Sequence, residues 1–290
     1  MALSEYERFL VRKPIYERSR NVKNRQSPTM TYMSNAQVRG VNCHVDFGWI
    51  YGIPEPDPSV PEHRHDNDEI VLYIGGDPEN PEDLGGEIEY FIEGESLVFS
   101  TSSALYIPGG LRHGPVVWQK FKKPHIEMTL MPGMGIIKDE WTKSAGASKG
   151  KVSKKDNNYE RFLVRKPIYE RAIGIKNRQS PTMTYISSAQ VPEANYYIEF
   201  GWIYGIPEPN PPVTRHVHKN DEIILHFGGD PQDPEDLGGE IEIMVENEPL
   251  VFNTNTALFA PQGLTHCPVT WRKFSRPHIE MAITLGSGTR

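Results

Sequence analysis

The sequence predicts an all-β protein written twice, from three observations: a long internal repeat, short alternating apolar runs, and frequent Gly and Pro. YERFLVRKPIYER starts at Tyr6 and returns at Tyr159, 153 positions later. KNRQSPTMTY (Lys23, Lys176), FGWIYGIPEP (Phe47, Phe200) and PHIEM (Pro124, Pro277) return at the same spacing. No insertion or deletion interrupts it, so both copies are expected to share one fold, and a repeat of this length is a whole domain rather than a solenoid unit. The 25 Gly and 25 Pro residues punctuate the chain as turns between short strands do.

Within each copy the elements follow from the pattern. YERFLVRKPIYER suits a short helical turn, which Pro14 and Pro167 prevent from growing into a long helix. In VDFGWIY, the residues Val45, Phe47, Trp49 and Tyr51 alternate with Asp46, Gly48 and Ile50 across the two faces of a strand. EIVLYIGG and EIILHFGG are apolar runs ended by glycines, and GEIEYFIEG and GEIEIMVEN alternate charged with apolar residues as half-exposed strands do. PHIEMTLM and PHIEMAITL predict closing strands. Each half is therefore expected to close as a barrel or sandwich. The expected domains are residues 1–137 and 159–290, joined by a Lys-, Ser- and Gly-rich flexible linker at 138–158.

Bulk properties narrow the function. A formal net charge of −7 argues against nucleic acid or an anionic membrane surface as partner. No apolar run is long enough to span a bilayer, and the opening MALSEYERFLVRK lacks the apolar core of a signal peptide. Cys43 and Cys267 occupy non-equivalent places in the repeat, so a disulfide framework is not expected and a reducing cytoplasm is.

The residues suited to chemistry recur in both copies. His63, His65 and Glu69 form H-x-H-x3-E, and His216, His218 and Glu222 repeat it. On a strand, two histidines two apart point the same way, and a carboxylate beginning the next strand can reach the same point. His113 and His266, each just after a Pro-x-Gly turn, supply a fourth donor. Imidazoles with one carboxylate suit a borderline divalent first-row metal.

This pattern resembles the cupin superfamily in its two-domain form, the bicupins. The family's first motif, G-x5-H-x-H-x(3,4)-E-x6-G, is matched by His63, His65, Glu69 and Gly76 and again by His216, His218, Glu222 and Gly229. Its second, G-x5-P-x-G-x2-H-x3-N, is matched by Pro108, Gly110 and His113 and by Pro261, Gly263 and His266. Asp57, Asn210, Ser102 and Asn255 replace the leading glycines, and Val117 and Thr270 the closing asparagine. The resemblance implies two double-stranded β-helix, jelly-roll-like barrels in tandem, each with a metal in its mouth.

The function so implied is a dioxygenase-type oxidoreductase acting on a small organic substrate, with Fe(II) favoured and Mn(II), Ni(II) or Zn(II) as alternatives. A non-catalytic metal or small-molecule binding protein, and a non-redox lyase, decarboxylase or isomerase, are the alternative readings. Chains are free to associate as homo-oligomers. Strand parity places Tyr73 with Glu69, and His226 with Glu222, as candidate acid–base residues. Trp49, Tyr51, Trp202 and Tyr204, alongside Phe47 and Phe200, are candidates for a substrate pocket. His125 and His278 are candidate partners of the metal ligands, although a core or surface role fits them better, and Arg112 is a weak candidate for binding an anion. The acidic loops beginning GGDP at Gly75 and Gly228 do not have calcium-loop spacing and read as stiff, solvated turns.

Overall fold

Alternating and continuous apolar runs become strands in the computed structural model, which describes residues 4–16, 21–134, 158–170 and 174–289. The expected linker lies outside the described residues except for Asn158. The first copy contributes β1 (Leu10–Val11), β2 (Ile15–Tyr16), β3 (Lys23–Arg25), β4 (Met30–Met33), β5 (Cys43–Glu55), β6 (Glu69–Gly75), β7 (Asp83–Ile92), β8 (Glu95–Thr101), β9 (Ser103–Ile107), β10 (His113–Phe121) and β11 (His125–Pro132). The second repeats them as β12 (Leu163–Val164), β13 (Ile168–Tyr169), β14 (Lys176–Arg178), β15 (Met183–Ile186), β16 (Tyr196–Glu208), β17 (Glu222–Gly228), β18 (Asp236–Val245), β19 (Glu248–Thr254), β20 (Thr256–Ala260), β21 (His266–Phe274) and β22 (His278–Leu285). The expected helical turns are single 3-10 turns at Glu5–Phe9 and Tyr159–Phe162.

Each barrel pairs a large sheet with a three-stranded one. In one, β12-β9-β6-β11-β5-β4-β2 run in order with β3 beside β5, and β10-β7-β8 form the second sheet. In the other, β1-β20-β17-β22-β16-β15-β13 run in order with β14 beside β16, and β19-β18-β21 form the second sheet. The result is two β-barrels of one fold.

The first strand of each copy does not stay with its own copy. Leu10 and Val11 pair with Leu258 and Ala257, while Leu163 and Val164 pair with Leu105 and Ala104. The compact units are accordingly Ile15–Lys166 and Met1–Pro14 with Pro167–Arg290, whereas the sequence-based division kept each opening segment with the strands that follow it. The two segments are identical from Tyr6 to Arg18 and Tyr159 to Arg171, so nothing in their own sequence selects one barrel over the other.

Register assigns the two faces of the large sheet. Val71 and Tyr73 stand opposite Thr129 and Glu127, which in turn stand opposite Asp46 and Gly48. With the two-residue period, Glu69, Val71, Tyr73, Asp46 and Glu127 share a face. Ile70, Leu72, Ile74, Ile126, Met128, Phe47 and Trp49 occupy the other and are almost wholly buried. The second copy keeps this order, with His226 opposite Glu280 and Ala282 opposite Glu199.

The four departures from the family's glycines each become a backbone strap. Asp57 Oδ2 accepts from the Trp118 amide at 3.3 Å, and Asn210 Oδ1 accepts from the Trp271 amide at 3.0 Å. Ser102 Oγ accepts from the Gly75 amide at 2.9 Å, and Asn255 Oδ1 accepts from the Gly228 amide at 2.8 Å. Side-chain acceptors thereby satisfy backbone N–H groups at two strand ends, Gly75 and Gly228, and beside register shifts within two strands, at Trp118 and Trp271. Among the described residues no helix is long and apolar enough to cross a membrane.

Candidate metal centres

The H-x-H segment is not a strand, as the sequence suggested, but an irregular stretch held by one isolated bridge. The His63 amide donates to the His113 carbonyl at 2.8 Å, and the His113 amide donates back at 2.9 Å. The Pro-x-Gly turn closes over the same stretch, where the Gly110 amide donates to the His65 carbonyl at 2.7 Å. Asp68 accepts from the Gly109 amide and the Tyr106 hydroxyl, locking the start of β6 to the turn. A Cβ on Gly109 would run into the Asp66 carbonyl, which explains a glycine there. His216 and His266 form the same bridge in the second copy, at 3.1 and 3.0 Å.

These contacts bring all eight predicted donors into two clusters. His63, His65, Glu69 and His113 form one, and His216, His218, Glu222 and His266 the other, each with ligand atoms within 4.8 Å of one another. His113 Nε2 lies 2.9 Å from Glu69 Oε2 and His65 Nε2 lies 3.2 Å from it. In the second cluster the distances to Glu222 Oε2 are 2.9 Å from His266 Nε2 and 3.4 Å from His218 Nε2.

The imidazole tautomers are set from behind. Nδ1 of His63, His65 and His113 faces the carbonyls of Pro61, Asn67 and Leu111 at 2.9, 2.7 and 2.9 Å. Nδ1 of His216 and His266 faces those of Thr214 and Leu264 at 2.7 and 3.0 Å. A carbonyl only accepts, so Nδ1 carries the proton and Nε2 is left as a lone pair aimed at the cluster centre. The carboxylate oxygen there is also an acceptor. His266 Nε2 and Glu222 Oε2 are buried, and their close approach is not a hydrogen bond. Burial alone would raise the Glu69 carboxyl, but with no ion bound a proton taken up by the His113 or His65 ring faces it, and that interaction outweighs burial and holds the carboxyl well below the usual carboxylate range. Lone pairs and an anion converging on one point fit a divalent cation, which would satisfy all of them at once.

A cavity adjoins the second cluster. His216 and Glu222 form part of its wall, with Arg178, Thr182, Glu199 and Glu280 also lining it and Phe200, Ile224 and Val269 among its apolar residues. Arg178 forks onto Glu280, with Nε and Nη2 at 2.9 and 2.7 Å from Oε2. Glu199 Oε2 accepts from Thr182 Oγ1 at 3.2 Å and Tyr197 Oη at 3.3 Å. The first barrel has the matched residues Arg25, Glu127 and Asp46, with Arg25 Nη2 2.6 Å from Glu127 Oε2. Burial raises the Asp46 carboxyl to about 7 against the opposing pull of Arg25 and Thr29.

The structure separates the other predicted residues from the metal ligands. Tyr73 and His226 lie on the ligands' face but deeper. The Tyr73 hydroxyl donates to Glu127 Oε1 at 3.1 Å, and His226, wholly buried, does not line the cavity. Trp49 and Trp202 sit on the opposite face, against Gly76 and Gly229, where a Cβ would strike their rings. They therefore pack on the side of the large sheet that faces away from the donors. Tyr51 is exposed, Tyr204 is partly so, and neither Trp202 nor Tyr204 lines the cavity. His125 and His278 are buried acceptors for the Trp118 and Trp271 indole N–H groups at 3.0 and 2.8 Å, a core role. Arg112 is spent on Glu93 and Glu62, and acidic-loop residue Asp77 pairs with Lys123.

Arg25, Asp46 and Glu127, with their counterparts, were not anticipated. One signal was present: Glu127 and Glu280 sit within apolar closing strands, where a buried carboxylate demands a partner.

The two barrels have the fold of the bicupins, two cupin domains in tandem on one chain, and each carries a set of three histidines and one glutamate. Among solved structures the chain is similar to AerE from Microcystis aeruginosa, with 12% identity and a TM-score of 0.54 over 96% of this chain and 98% of that one. It is also similar to oxalate decarboxylase from Bacillus subtilis, with 12% identity and a TM-score of 0.55 over 96% and 80%. The oxalate decarboxylase of Lactobacillus farciminis, in a formate complex, gives 13% and 0.54 over 90% and 81%. No family model and no curated protein matches the chain.

Proposed function

We propose that this bicupin is a metal-dependent enzyme acting on a small organic substrate at the barrel mouths. The observation that carries the reading is the cavity in which His216 and Glu222 share a wall with Arg178, Glu199 and Glu280. A bound divalent ion would act as a Lewis acid on a substrate oxygen. The protein supplies the rest: apolar walls that exclude water, an Arg–Glu pair that holds its own geometry, and a second acid facing the substrate. Asp46, raised to about 7 by burial, is suited to give or take a proton near neutral pH.

That second acid favours non-redox chemistry of decarboxylase, lyase or isomerase type as the first reading. Dioxygenase chemistry at Fe(II) is the second, supported by the donor set, which leaves coordination positions open beyond four protein atoms. Manganese joins iron as a candidate ion, since Mn(II) centres are described for the Bacillus subtilis oxalate decarboxylase.

The test is metal content by plasma mass spectrometry on protein purified without chelator, followed by turnover of a panel of small carboxylates with and without O2. One ion per donor set is expected, with one lost in His63→Ala/His65→Ala and the other in His216→Ala/His218→Ala. Turnover in the absence of O2 supports the first reading and strict O2 dependence the second. Failure to take up any metal overturns both.

A further inference from the structure

We propose that the second barrel exchanges protons with solvent through its side wall, along a relay in which Tyr197 connects the cavity acid Glu199 to Glu170 at the edge of the large sheet. This deepens the proposed function, because it gives protons gained or lost at that site a route to water, and its test reads the relay without turnover.

The side chains lie in a line across three adjacent strands. Glu199 lines the cavity from β16, and register sets it level with Ile224, two residues further along the ligands' face than Glu222. Thr184 on β15 stands opposite Glu199. β13 ends the sheet beyond β15, and Glu170 follows it, with its amide donating to the Thr182 carbonyl at 3.1 Å. Tyr197, two residues before Glu199 on the same face of β16, closes the gap. Its hydroxyl lies 3.3 Å from Glu199 Oε2 and 2.7 Å from Glu170 Oε1, so its one proton can be given to either carboxylate. Thr184 Oγ1 lies 3.0 Å from that hydroxyl and donates to Glu170 Oε1 at 2.8 Å.

Burial gives the line its direction. Glu199, Tyr197 and Thr184 are buried, whereas Glu170 is partly exposed and can pass a proton to water. Glu199 keeps its other contacts throughout: Thr182 Oγ1 donates to it at 3.2 Å, and Arg178, Glu222 and Glu280 share its wall. A carboxylate so held suits a relay, since it stays in place while the proton moves.

The transfer balances with the phenol neutral at each end. A proton taken up by Glu199 passes from its carboxyl to the Tyr197 oxygen as the phenolic proton moves to Glu170. One O–H bond forms and one breaks at Tyr197, Glu199 returns to a carboxylate, and Glu170 releases the proton to water. Rotation of the hydroxyl about the Cζ–Oη bond resets the line, and no electrons or co-reactant enter. Burial, with the two carboxylates, raises the phenol above the usual tyrosine range, so the neutral form carries the proton. Tyr197 acts through Glu199 and is a positioning residue.

The first barrel keeps the theme with different groups. His44 stands at the place of Tyr197 and Asp46 at that of Glu199, with His44 Nε2 3.9 Å from Asp46 Oδ1 and 3.5 Å from Thr31 Oγ1. A side chain able to accept and give up a proton therefore sits beside the wall acid in both copies.

The experiment uses the full-length chain with carbon-13 at tyrosine Cζ, in an equal mixture of H2O and D2O. Hydroxyl exchange slower than the isotope shift splits each Cζ resonance in two, and faster exchange merges the pair; Tyr197→Phe assigns the resonance. The relay predicts a merged resonance for Tyr197. Glu170→Gln keeps an acceptor oxygen for the phenol but removes the base, and should slow exchange tenfold or more. Glu199→Gln should slow it threefold or more, because the cavity end of the line is then shut. Should Glu199→Gln not fold, Glu199→Asp, an acid one methylene shorter, breaks the contact and carries the same expectation. A split resonance in the unaltered chain, or exchange unchanged by the loss of either carboxylate, overturns the inference. The readout needs neither metal nor substrate, so a failure to load metal counts against the proposed function alone.

Discussion

At the scale of single residues, the internal repeat acts as its own control. Gly114 has φ +75° and Cys267, its counterpart, has φ +65°, so a left-handed backbone is kept while the glycine suited to it is lost in one copy. A Cβ on Gly114 would sit 2.8 Å from the Pro61 carbonyl oxygen. Gly114→Ala should lower stability by about 1–2 kcal/mol through strain and crowding. Cys267→Gly should leave stability within about 1 kcal/mol, because relief of strain offsets the lost packing of the thiol. Urea midpoints of the two variants check the contrast.

His226 provides a second test. Where Tyr73 donates to Glu127, His226 is wholly buried with neither ring nitrogen hydrogen-bonded, and burial pushes it down to about 4. Its folded pKa lies below the unfolded value, so the unfolded chain binds the proton first. Stability is then lost as pH falls from about 6.5 towards about 4. His226→Tyr should remove part of that acid sensitivity and let a phenol reach Glu280, seen as a flatter dependence of the urea midpoint on pH between those values.

At the scale of elements, the opening segments are the part of the fold that pattern reading could not assign. The Arg12 side chain pairs with Glu7 and donates to the Val251 carbonyl at 3.1 Å, and Thr254 Oγ1 donates to the Arg12 carbonyl at 3.1 Å. Arg165 repeats this with Glu160, the Val98 carbonyl and Thr101. Arg12→Ala should therefore speed amide hydrogen exchange around β19 and β20, with little change around β8 and β9. Arg165→Ala should do the reverse. Hydrogen-exchange mass spectrometry resolves the two regions, and acceleration in the mutated segment's own copy would contradict the observed pairing.

At the scale of the whole molecule, binding at two donor sets is linked to the stability of two units. An ion that binds only the folded state adds about 2.7 kcal/mol at a hundredfold excess over its Kd. Added Mn(II) should raise the thermal transitions and a chelator should reverse the gain. His63→Ala/His65→Ala should abolish the response of the unit holding that set and leave the other intact, as read by calorimetry. A response that disappears entirely in one double variant would show the two sets to be coupled.

The sequence alone determined the duplication, the all-β class and the eight candidate donors. Repeats, two-residue periodicity and short ligand spacings are local properties that survive in a string of letters. The turn chemistry was equally legible, because Pro108, Gly110 and His113 are constrained by bonds a few residues away. Tertiary structure alone decided which barrel each opening strand joins, since the two segments are identical and the choice lies in the strand edge each one meets. It also decided that Trp49 and Trp202 lie on the sheet face away from the donors while Arg178, Glu199 and Glu280 reach the cavity beside the metal ligands. These residues lie up to 102 positions apart, and only strand register across β14, β16 and β22 sets them on one face. Chemistry carried by neighbours in the chain can be read from the chain; chemistry assembled across a sheet depends on pairing that only the folded state specifies.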